Sequence, residues 1–386
     1  MYITSADKLK EFCDNLQSAE VLVVDTEFVR ERTYFHRIGL IQVGGGEHFA
    51  AIDPIALPDM TPLLELLKDP KKIKVFHAAR QDLEILVRLC GQVIPPVFDT
   101  QIAAALVGWG TQISFAKIVH KALGKKIHKS ETYTDWCRRP LSDNQIEYAI
   151  DDVRYLMPVY KKLVDRLTRM GRLEWVRGEV MDWEDPKTFA LPDPKKRFMK
   201  IKNLRSLKSR NLTVLQEIAA WREGEAVKRD CLAKAIVRDE TLLEIARKIP
   251  RDTKTLSGIR GMYQKEMSKG GVAILKAIET AMEVAENDLI ELPESNGHAT
   301  TRGVEELLAA YVQIRSEELK IEPSVLADRK KIHSFVTHFE QKQDIEEHIL
   351  FQGWRKELIG IPMFSLLSGK MGLKIDPSGQ VCLINS

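Results

Sequence analysis

Short apolar runs alternate with helically periodic segments over the first half of the chain. Runs such as Val21–Val24 and Ile73–Phe76 are largely aliphatic, which is typical of buried central strands. Between such runs, apolar residues recur at three- and four-residue spacing, which is typical of amphipathic helices. The pattern predicts strands at 21–27, 38–43, 48–52, 73–76 and 97–99, and helices at 5–17, 61–68, 82–90, 100–107, 113–123 and 143–170. Because helices separate only the later strands, we expect a mixed α/β sheet.

The strand pattern ends at about residue 208, and helical periodicity alone continues. Helices are predicted at 212–221, 231–237, 240–248 and 271–286, with a second helical set after the polar break at 294–298. Ala220–Glu223 is echoed by Gln313–Ser316, and Ile236–Asp239 by Val325–Asp328, which indicates a diverged internal repeat. An all-α packing or dimerisation domain is the alternative interpretation of both sets.

Length and composition indicate a soluble globular protein of two or three domains, with 386 residues, 44% of them hydrophobic and 29% charged. No apolar run is long enough for a membrane span. Residues 1–7 lack the basic start and apolar core of a secretory signal. The five scattered cysteines form no Cys-x-x-Cys pair, so free thiols and a cytoplasmic location are expected.

The formal net charge of +3 does not by itself indicate a nucleic-acid-binding protein. The distribution of charge is more informative, because the stretch from Lys195 to Arg210 holds eight Lys or Arg residues and no acid. A second basic cluster is formed by Lys121, Lys125, Lys126 and Lys129. Basic segments of this kind neutralise phosphates, although a solubilising linker is an equally good account of 195–210.

Two acids, Asp25 and Glu27, directly follow the buried strand run that begins at Val21. Side chains two residues apart on a strand point to the same face. Two carboxylates on one face repel each other unless a proton or a cation lies between them. Magnesium and manganese accept such oxygen ligands. The alternative is an ordinary strand end that carries two solvated acids.

Two further acidic positions lie on predicted helices. Asp82 falls in the first turn of the helix that follows the strand at 73–76, where it could also merely complement the helix dipole. Tyr148 and Asp152 are four residues apart and therefore share a face of the helix at 143–170. A phenol one turn from a metal-binding carboxylate can hydrogen-bond an attacking water. A half-buried tyrosine beside an exposed aspartate is the alternative, but the whole set predicts a nuclease that holds two divalent metals.

The five residues Asp25, Glu27, Asp82, Tyr148 and Asp152 match the three motifs of the DEDD exonuclease superfamily in its tyrosine-bearing branch. The surrounding sequence resembles, more narrowly, the bacterial ribonuclease D family. The segments that carry this resemblance are Val24–Arg30, Ile38–Gln42, Phe98–Gln101, Lys129–Ser130 and Thr134–Leu141. The resemblance extends over roughly residues 1–375, and residues 376–386 lie outside it.

The resemblance implies a ribonuclease H-like α/β exonuclease domain with a mixed sheet, followed by two all-α HRDC-like helical bundles. We predict an exonuclease domain at 1–185, a basic linker at 186–207, a first HRDC domain at 208–289 and a diverged HRDC-like domain at 299–375. Pro186, Pro192 and Pro194 mark the linker.

The resemblance also implies the chemistry. Asp25 would bridge two divalent ions, Mg²⁺ or Mn²⁺, and Glu27 and Asp152 would hold the ion that carries the attacking water. Asp82 would act on the second ion through bound waters, and Tyr148 would orient the nucleophile. The expected reaction is the release of nucleoside 5′-monophosphates from a free RNA 3′ end, with transfer RNA precursors as substrates and the protein acting as a monomer.

Six residues are candidates for substrate contact. Thr26 and Phe28 flank the first two acids, and a phenyl ring can stack on a base, although Phe28 is equally suited to the core. The other candidates are Gln42, His77, Lys129 and Arg139.

Two alternative functions stay open at this point. One is a single-strand DNA exonuclease of the same superfamily, which only contacts to the ribose 2′-hydroxyl would distinguish. The other is a non-catalytic RNA-binding protein on an inactive nuclease scaffold. The presence of all five motif residues argues against the second.

Overall fold

The computed structural model describes residues 1–127, 134–292, 301–377, 379 and 381–385. These residues form two compact units. The first unit contains residues 1–27 and 38–189 together with the described part of 297–386. The second contains residues 28–37 and the described part of 190–296. The units therefore do not follow chain order, because one short segment between two strands belongs with the later helices.

A six-stranded mixed sheet forms the centre of the first unit, in the order β1-β4-β3-β2-β5-β6. The strands are Tyr2–Ile3 (β1), Val21–Val29 (β2), Arg37–Gly45 (β3), His48–Ile52 (β4), Ile73–Phe76 (β5) and Val97–Asp99 (β6). β3 and β4 are antiparallel, whereas β2 with β5, β5 with β6, and β1 with β4 are parallel. The predicted mixed α/β sheet is thereby confirmed.

Among the described residues up to 189, seven α-helices accompany this sheet. They are Ala6–Asn15 (α1), Thr61–Lys68 (α2), Arg80–Cys90 (α3), Thr100–Leu106 (α4), Phe115–Leu123 (α5), Asp143–Arg169 (α6) and Leu173–Val180 (α7). Every predicted strand and helix of this region is present, with ends within two residues of the prediction. The sequence pattern missed β1, which has only two residues and forms through its pairing with β4, and α7.

The central strand β2 contributes to a separate core on each face of the sheet. Leu22 and Val24 pack in the core that contains Leu83 of α3. Val23, on the opposite face, packs in the core that contains Val153 of α6. Because side chains alternate along a strand, Asp25 and Glu27 continue the α6 face of β2, and Thr26 continues the α3 face.

The second unit is a helical bundle. Its helices are Ser209–Lys228 (α8), Ala233–Ile236 (α9), Asp239–Lys248 (α10), Thr253–Ser257 (α11) and Gln264–Glu283 (α12). Part of the predicted basic linker is folded here, because Phe198 and Ile201 are buried in the bundle core. Tyr34 also packs against that core and donates a hydrogen bond to Glu223 at 2.6 Å.

The C-terminal part of the first unit is also mainly helical. Its helices are Thr301–Leu319 (α13), Pro323–Leu326 (α14), Arg329–Glu340 (α15) and Ile361–Leu367 (α16), followed by strands Met371–Ile375 (β7) and Val381–Asn385 (β8). The prediction of an all-α domain at 299–375 is wrong at its end, because β7 pairs antiparallel with β8. The whole partner strand lies beyond the predicted boundary at residue 375, so no pattern inside that domain could indicate the pairing.

Shorter helical turns complete both units. The 3-10 turns are Met181–Glu184, Pro186–Phe189, Pro194–Lys200, Leu204–Ser206, Glu286–Asp288, Ile345–Glu347 and Ile349–Phe351, and a π-helical turn spans Lys356–Gly360. Among the helices in the described ranges, none combines the length and the apolar character that crossing a membrane requires.

Candidate metal centre

Three carboxylates from two elements meet beside the central strand. Asp25 and Glu27 project from the middle and the C-terminal half of β2 toward the face that α6 covers, and Asp152 lies on α6. One oxygen from each of these three side chains lies within 4.8 Å of the other two. The strand period and the packing of α6 therefore bring together acids that are 125 and 127 residues apart in the chain (152 − 27 and 152 − 25).

The electrostatics of this cluster disfavour three free charges. Burial and the neighbouring carboxylates of Asp82, Asp152 and Glu27 raise the pKa of Asp25 well above its usual value. Burial and the charges of Asp152 and Asp82 raise the pKa of Glu27 to about 8. A divalent cation would relieve this repulsion, and carboxylate oxygens are the ligands that Mg²⁺ and Mn²⁺ prefer. The donor set therefore fits the expected metals.

Asp82 stands apart from the three-carboxylate cluster but acts on it. It lies in the first turn of α3, is only 7% exposed, and accepts a hydrogen bond from the Thr26 hydroxyl at 2.5 Å. Burial raises the pKa of Asp82 to about 7, and the Thr26 hydrogen bond opposes that rise. Its charge in turn raises the pKa of Asp25 and of Glu27. Asp82 is thus positioned to influence a bound ion from beside the cluster.

The start of α3 is held in place by Asp99, a residue that sequence reasoning did not single out. The Asp99 carboxylate accepts hydrogen bonds from the backbone N–H of Ala78 and Ala79 at 3.3 and 2.7 Å, and from Gln101 and Ile102 at 2.7 and 3.2 Å. Ala78 has a φ of +64°, a conformation that is costly for a residue with a Cβ. Asp99 therefore stabilises the turn that places Asp82. An aspartate directly before a helix is a recognisable cap, here of α4. The bonds of Asp99 to Ala78 and Ala79, which follow β5, are not recognisable from the sequence.

Tyr148 borders the cluster from the preceding turn of α6. Its hydroxyl hydrogen-bonds Asp152, and burial together with the charges of Asp152, Glu27 and Asp25 raises the pKa of the phenol. The phenol therefore stays protonated at neutral pH and is a hydrogen-bond donor. The helix begins with a capping box between Ser142 and Gln145, as the sequence indicated, and this fixes the start of α6.

Two of the predicted substrate contacts have their polar atoms engaged elsewhere. The hydroxyl of Thr26 is committed to Asp82. Arg139 uses all five of its N–H donors, two on the carboxylate of Asp53 at 2.7 Å and three on backbone carbonyls of Gly39, Trp136 and Arg138. The structure thus places Arg139 in a structural network and leaves it no N–H group for a phosphate.

The other four predicted substrate contacts lie in different environments. Gln42 is 0% exposed in β3, and neither its amide nitrogen nor its amide oxygen has a hydrogen-bond partner among the described residues, so it cannot reach a nucleotide in this geometry. Both ring nitrogens of His77 lie in hydrogen-bond range, of Thr100 Oγ1 at 2.9 Å and of the Ile113 carbonyl at 3.0 Å. Phe28 is partly exposed and packs edge-on against His36. Lys129 lies outside the described residues.

Two family models match the chain. One, described as 3′-5′ exonuclease, matches residues 1–168, and the other, described as HRDC domain, matches residues 211–278. The first match contains all five candidate catalytic residues. The second covers most of the helical bundle in the second unit.

Individual proteins match over nearly the full length. Ribonuclease D of Granulibacter bethesdensis is 36% identical over 100% of this chain and 96% of its own. Ribonuclease D of a Shewanella species is 33% identical over 92% of this chain and 91% of its own. The crystal structure of Escherichia coli RNase D, an exoribonuclease involved in structured RNA processing, matches with a TM-score of 0.84 at 33% identity. That match covers 96% of this chain and 98% of the other.

Proposed function

The chain belongs to the ribonuclease D family, and from this premise we propose that its carboxylate cluster hydrolyses RNA from the 3′ end with two divalent ions. It is a 3′–5′ exoribonuclease, a hydrolase of phosphodiester bonds. The observation that carries the proposed mechanism is the convergence of Asp25, Glu27 and Asp152 within 4.8 Å. With Asp82 beside them, these four carboxylates would hold the ions.

When bound, a pair of divalent ions supplies an activated water and neutralises charge on the leaving oxygen. The residues of the chain position the other components. Tyr148 keeps its proton at neutral pH, and its hydroxyl, which bonds Asp152, can hydrogen-bond the attacking water by accepting from it. Asp82, held by Thr26, adds negative charge beside the cluster. Each turnover releases one nucleoside 5′-monophosphate.

Thr26→Val should lower kcat/KM for RNA by about 10- to 100-fold, the range expected when a residue that orients a metal-binding group is removed. Valine has nearly the same shape but cannot donate a hydrogen bond to Asp82, so the pKa of Asp82 rises further and its carboxylate loses its fixed orientation. The activity of the variant should also need more Mg²⁺. Thr26→Ser, which keeps the donor, is the matched control and should restore most of the rate. Equal activity of Thr26→Val and the wild type would refute the role of the Thr26–Asp82 hydrogen bond.

For the substrate, we propose structured RNA with a free 3′ end, of which transfer RNA precursors are an example. The family of the chain supports this choice, as does the role of the Escherichia coli relative in structured RNA processing. Exposed basic residues of the second unit, such as Lys196, Lys200 and Lys202, would contribute affinity for the phosphates. Phe28 and Lys129 are retained as proposed contacts to the terminal nucleotide. We further propose that the protein acts as a monomer in the cytoplasm.

We also propose that residues 299–375 contain a diverged second HRDC-like copy. The order of a long, a short and a medium helix is the same in both regions. The three helices are Ser209–Lys228, Ala233–Ile236 and Asp239–Lys248 in the first region, and Thr301–Leu319, Pro323–Leu326 and Arg329–Glu340 in the second. The short helices and the starts of the medium helices are each 90 residues apart (323 − 233 and 329 − 239). The β7–β8 hairpin is a difference between the two regions.

The experiment that tests the function offers matched RNA and DNA oligonucleotides, with free or blocked 3′ ends, in Mg²⁺, Mn²⁺ or a chelator. We expect nucleoside monophosphates from free-ended RNA in the presence of either metal and none in chelator. Equal digestion of the DNA would favour the single-strand DNA exonuclease. RNA binding without cleavage under every condition would indicate a non-catalytic protein.

A further inference from the structure

A broad cationic groove lies in the first unit, outside the catalytic residues. Its volume is about 1030 Å³, and it is lined by residues 109–113 of the loop after α4, by α5, and by Lys126 and Ile127. Clefts that hold small ligands have volumes on the order of 300–1,000 Å³, so the space exceeds what one nucleotide needs. None of its residues takes part in the proposed chemistry.

The charge of this groove is predominantly positive. Lys117 and Lys121 are exposed and are one turn apart on α5, so their ammonium groups lie on the same side of that helix, and Lys126 extends the series. Within the part of the chain that the structure describes, none of the three forms an ion pair. Glu322 is an acid of the lining, and one of its oxygens accepts a hydrogen bond from Thr111 at 3.0 Å.

Trp109, another residue of the lining, organises cations at this groove. The Lys121 ammonium lies 5.7 Å from the centre of the indole ring, and the Arg166 guanidinium lies 5.6 Å from it. Such cation–π contacts order long basic side chains without neutralising their charge. The cations held by Trp109 are thus available to phosphates.

The groove borders the catalytic site through two shared lining residues. Lys126 and Ile127 line both this groove and a smaller pocket of about 320 Å³ that contains Tyr148 and Asp152. A strand whose last phosphodiester lies at the carboxylates could therefore pass Lys126 and enter the groove. The nucleotides in the groove would be those on the 5′ side of the scissile bond.

We propose that this groove binds the backbone phosphates of the RNA strand upstream of its 3′ terminus, with Lys117, Lys121 and Lys126 as the phosphate contacts. The polarity of the strand rests on the proposed exonuclease function, whereas the affinity of the groove for a polyanion does not. Positive charge along a channel recognises the backbone and not the base sequence, which suits an enzyme that must accept each new 3′ end.

The test compares the full-length wild type with Lys117→Glu/Lys121→Glu, leaving Lys126 in place because it also borders the catalytic pocket. For a 12-residue RNA we expect KM to rise on the order of tenfold with kcat unchanged. The slope of log KM against the logarithm of the salt concentration should fall by about 1.4, because two phosphate contacts are lost and each contributes about 0.7 on a single strand. Hydrolysis of a diribonucleotide, which is too short to fill the groove, should stay within twofold of wild type.

The matched control is Lys8→Glu/Lys71→Glu, which makes the same charge change at two exposed lysines outside the lining. Lys117→Arg/Lys121→Arg should retain wild-type KM. Anisotropy of the labelled 12-residue RNA in chelator measures binding without cleavage, so a failure of the hydrolytic function is distinguishable from a failure of the groove. The proposal is overturned if the groove variant binds and cleaves the long RNA like the control, or if it loses the diribonucleotide equally.

Discussion

Asp25→Asn is expected to lower the rate of RNA hydrolysis by at least about 10³-fold. Asp25 belongs to the three-carboxylate cluster and also interacts with Asp82, so an amide at this position weakens every candidate ligand interaction at once. Each tenfold loss in rate corresponds to about 1.4 kcal/mol, and bound metal ions supply several kcal/mol of stabilisation to such transition states. The rate of monophosphate release from a free-ended RNA measures the effect.

The same variant has a stability readout that separates a lost metal ligand from a damaged fold. In metal-free protein, the folded-state pKa of Asp25 is raised, that of Glu27 is about 8 and that of Asp82 about 7, all above their unfolded values near 4. Groups with raised pKa values contribute stability that is fully present below about pH 4 and is lost as the pH rises to about 8. Asp25→Asn removes one of these charges. The metal-free variant should therefore melt at a higher temperature than wild type at pH 8, with a smaller difference at pH 4.5.

Asp165→Asn is the matched control for Asp25→Asn, because Asp165 is an exposed carboxylate on α6 that pairs with Arg169. It should leave hydrolysis and its Mg²⁺ dependence unchanged. If Asp25→Asn digested RNA at the wild-type rate, the metal centre would have no part in the mechanism. A melting temperature of Asp25→Asn below that of wild type at pH 8 would mean that the inactive variant had lost its structure instead.

Glu179→Ala should lower the free energy of unfolding of the first unit by roughly 3–5 kcal/mol, the cost of leaving a buried charge without its partner. Arg355 is 7% exposed and pairs with Glu179 through both of its terminal nitrogens, with Nη2 at 2.8 Å from Oε2. Trp354 also donates to Glu179 at 2.9 Å and stacks on Trp175 at 4.5 Å. The pair therefore connects α7 to the C-terminal bundle, and its loss leaves the largely buried guanidinium with only the backbone carbonyls of Val325 and Leu326 and no counter-charge.

Glu306→Ala is the matched control for Glu179→Ala. It breaks another glutamate–arginine pair of the C-terminal bundle, with Arg329, but both partners are about 60% exposed, so little change in the urea midpoint is expected. Urea unfolding followed by circular dichroism measures both variants. If Glu179→Ala unfolds at the same urea concentration as Glu306→Ala, the buried pair does not hold the C-terminal bundle to the exonuclease part of the unit.

Sequence reasoning was accurate where a structural feature depends on near neighbours in the chain. The ends of β2 and of α6 were predicted within two residues because aliphatic runs, helical periodicity and a capping box are local signals. The pairing of Tyr148 with Asp152 followed from their spacing of four on one helix. The first exonuclease motif was singled out because Asp25 and Glu27 follow the aliphatic run Val21–Val24.

Sequence reasoning was less accurate where a side chain has several possible partners. Arg139 was a plausible phosphate ligand by residue type, but its donors are taken by Asp53 and three carbonyls. The role of Thr26 depends on its bond to Asp82 in the first turn of α3, which lies far from Thr26 in sequence. The role of Asp99 depends on its bond to the backbone of Ala79, at the start of the same helix, and all of α3 lies between these two residues. Strand β1 has only two residues and forms through its pairing with the distant β4, so no local pattern indicated it.

By itself, the amino-acid sequence determined the order of helices and strands, the family and the identity of the five motif residues, because these depend on local periodicity and residue type. Only the tertiary structure decided that one oxygen of each of three acids lies within 4.8 Å of the others, that Asp82 is held beside them, and that a cationic groove shares lining residues with the pocket of Tyr148 and Asp152. The physical reason is that the packing of α6 and α3 against opposite faces of β2 sets those distances. Such packing joins residues more than fifty positions apart, and it is invisible to any pattern read along the chain.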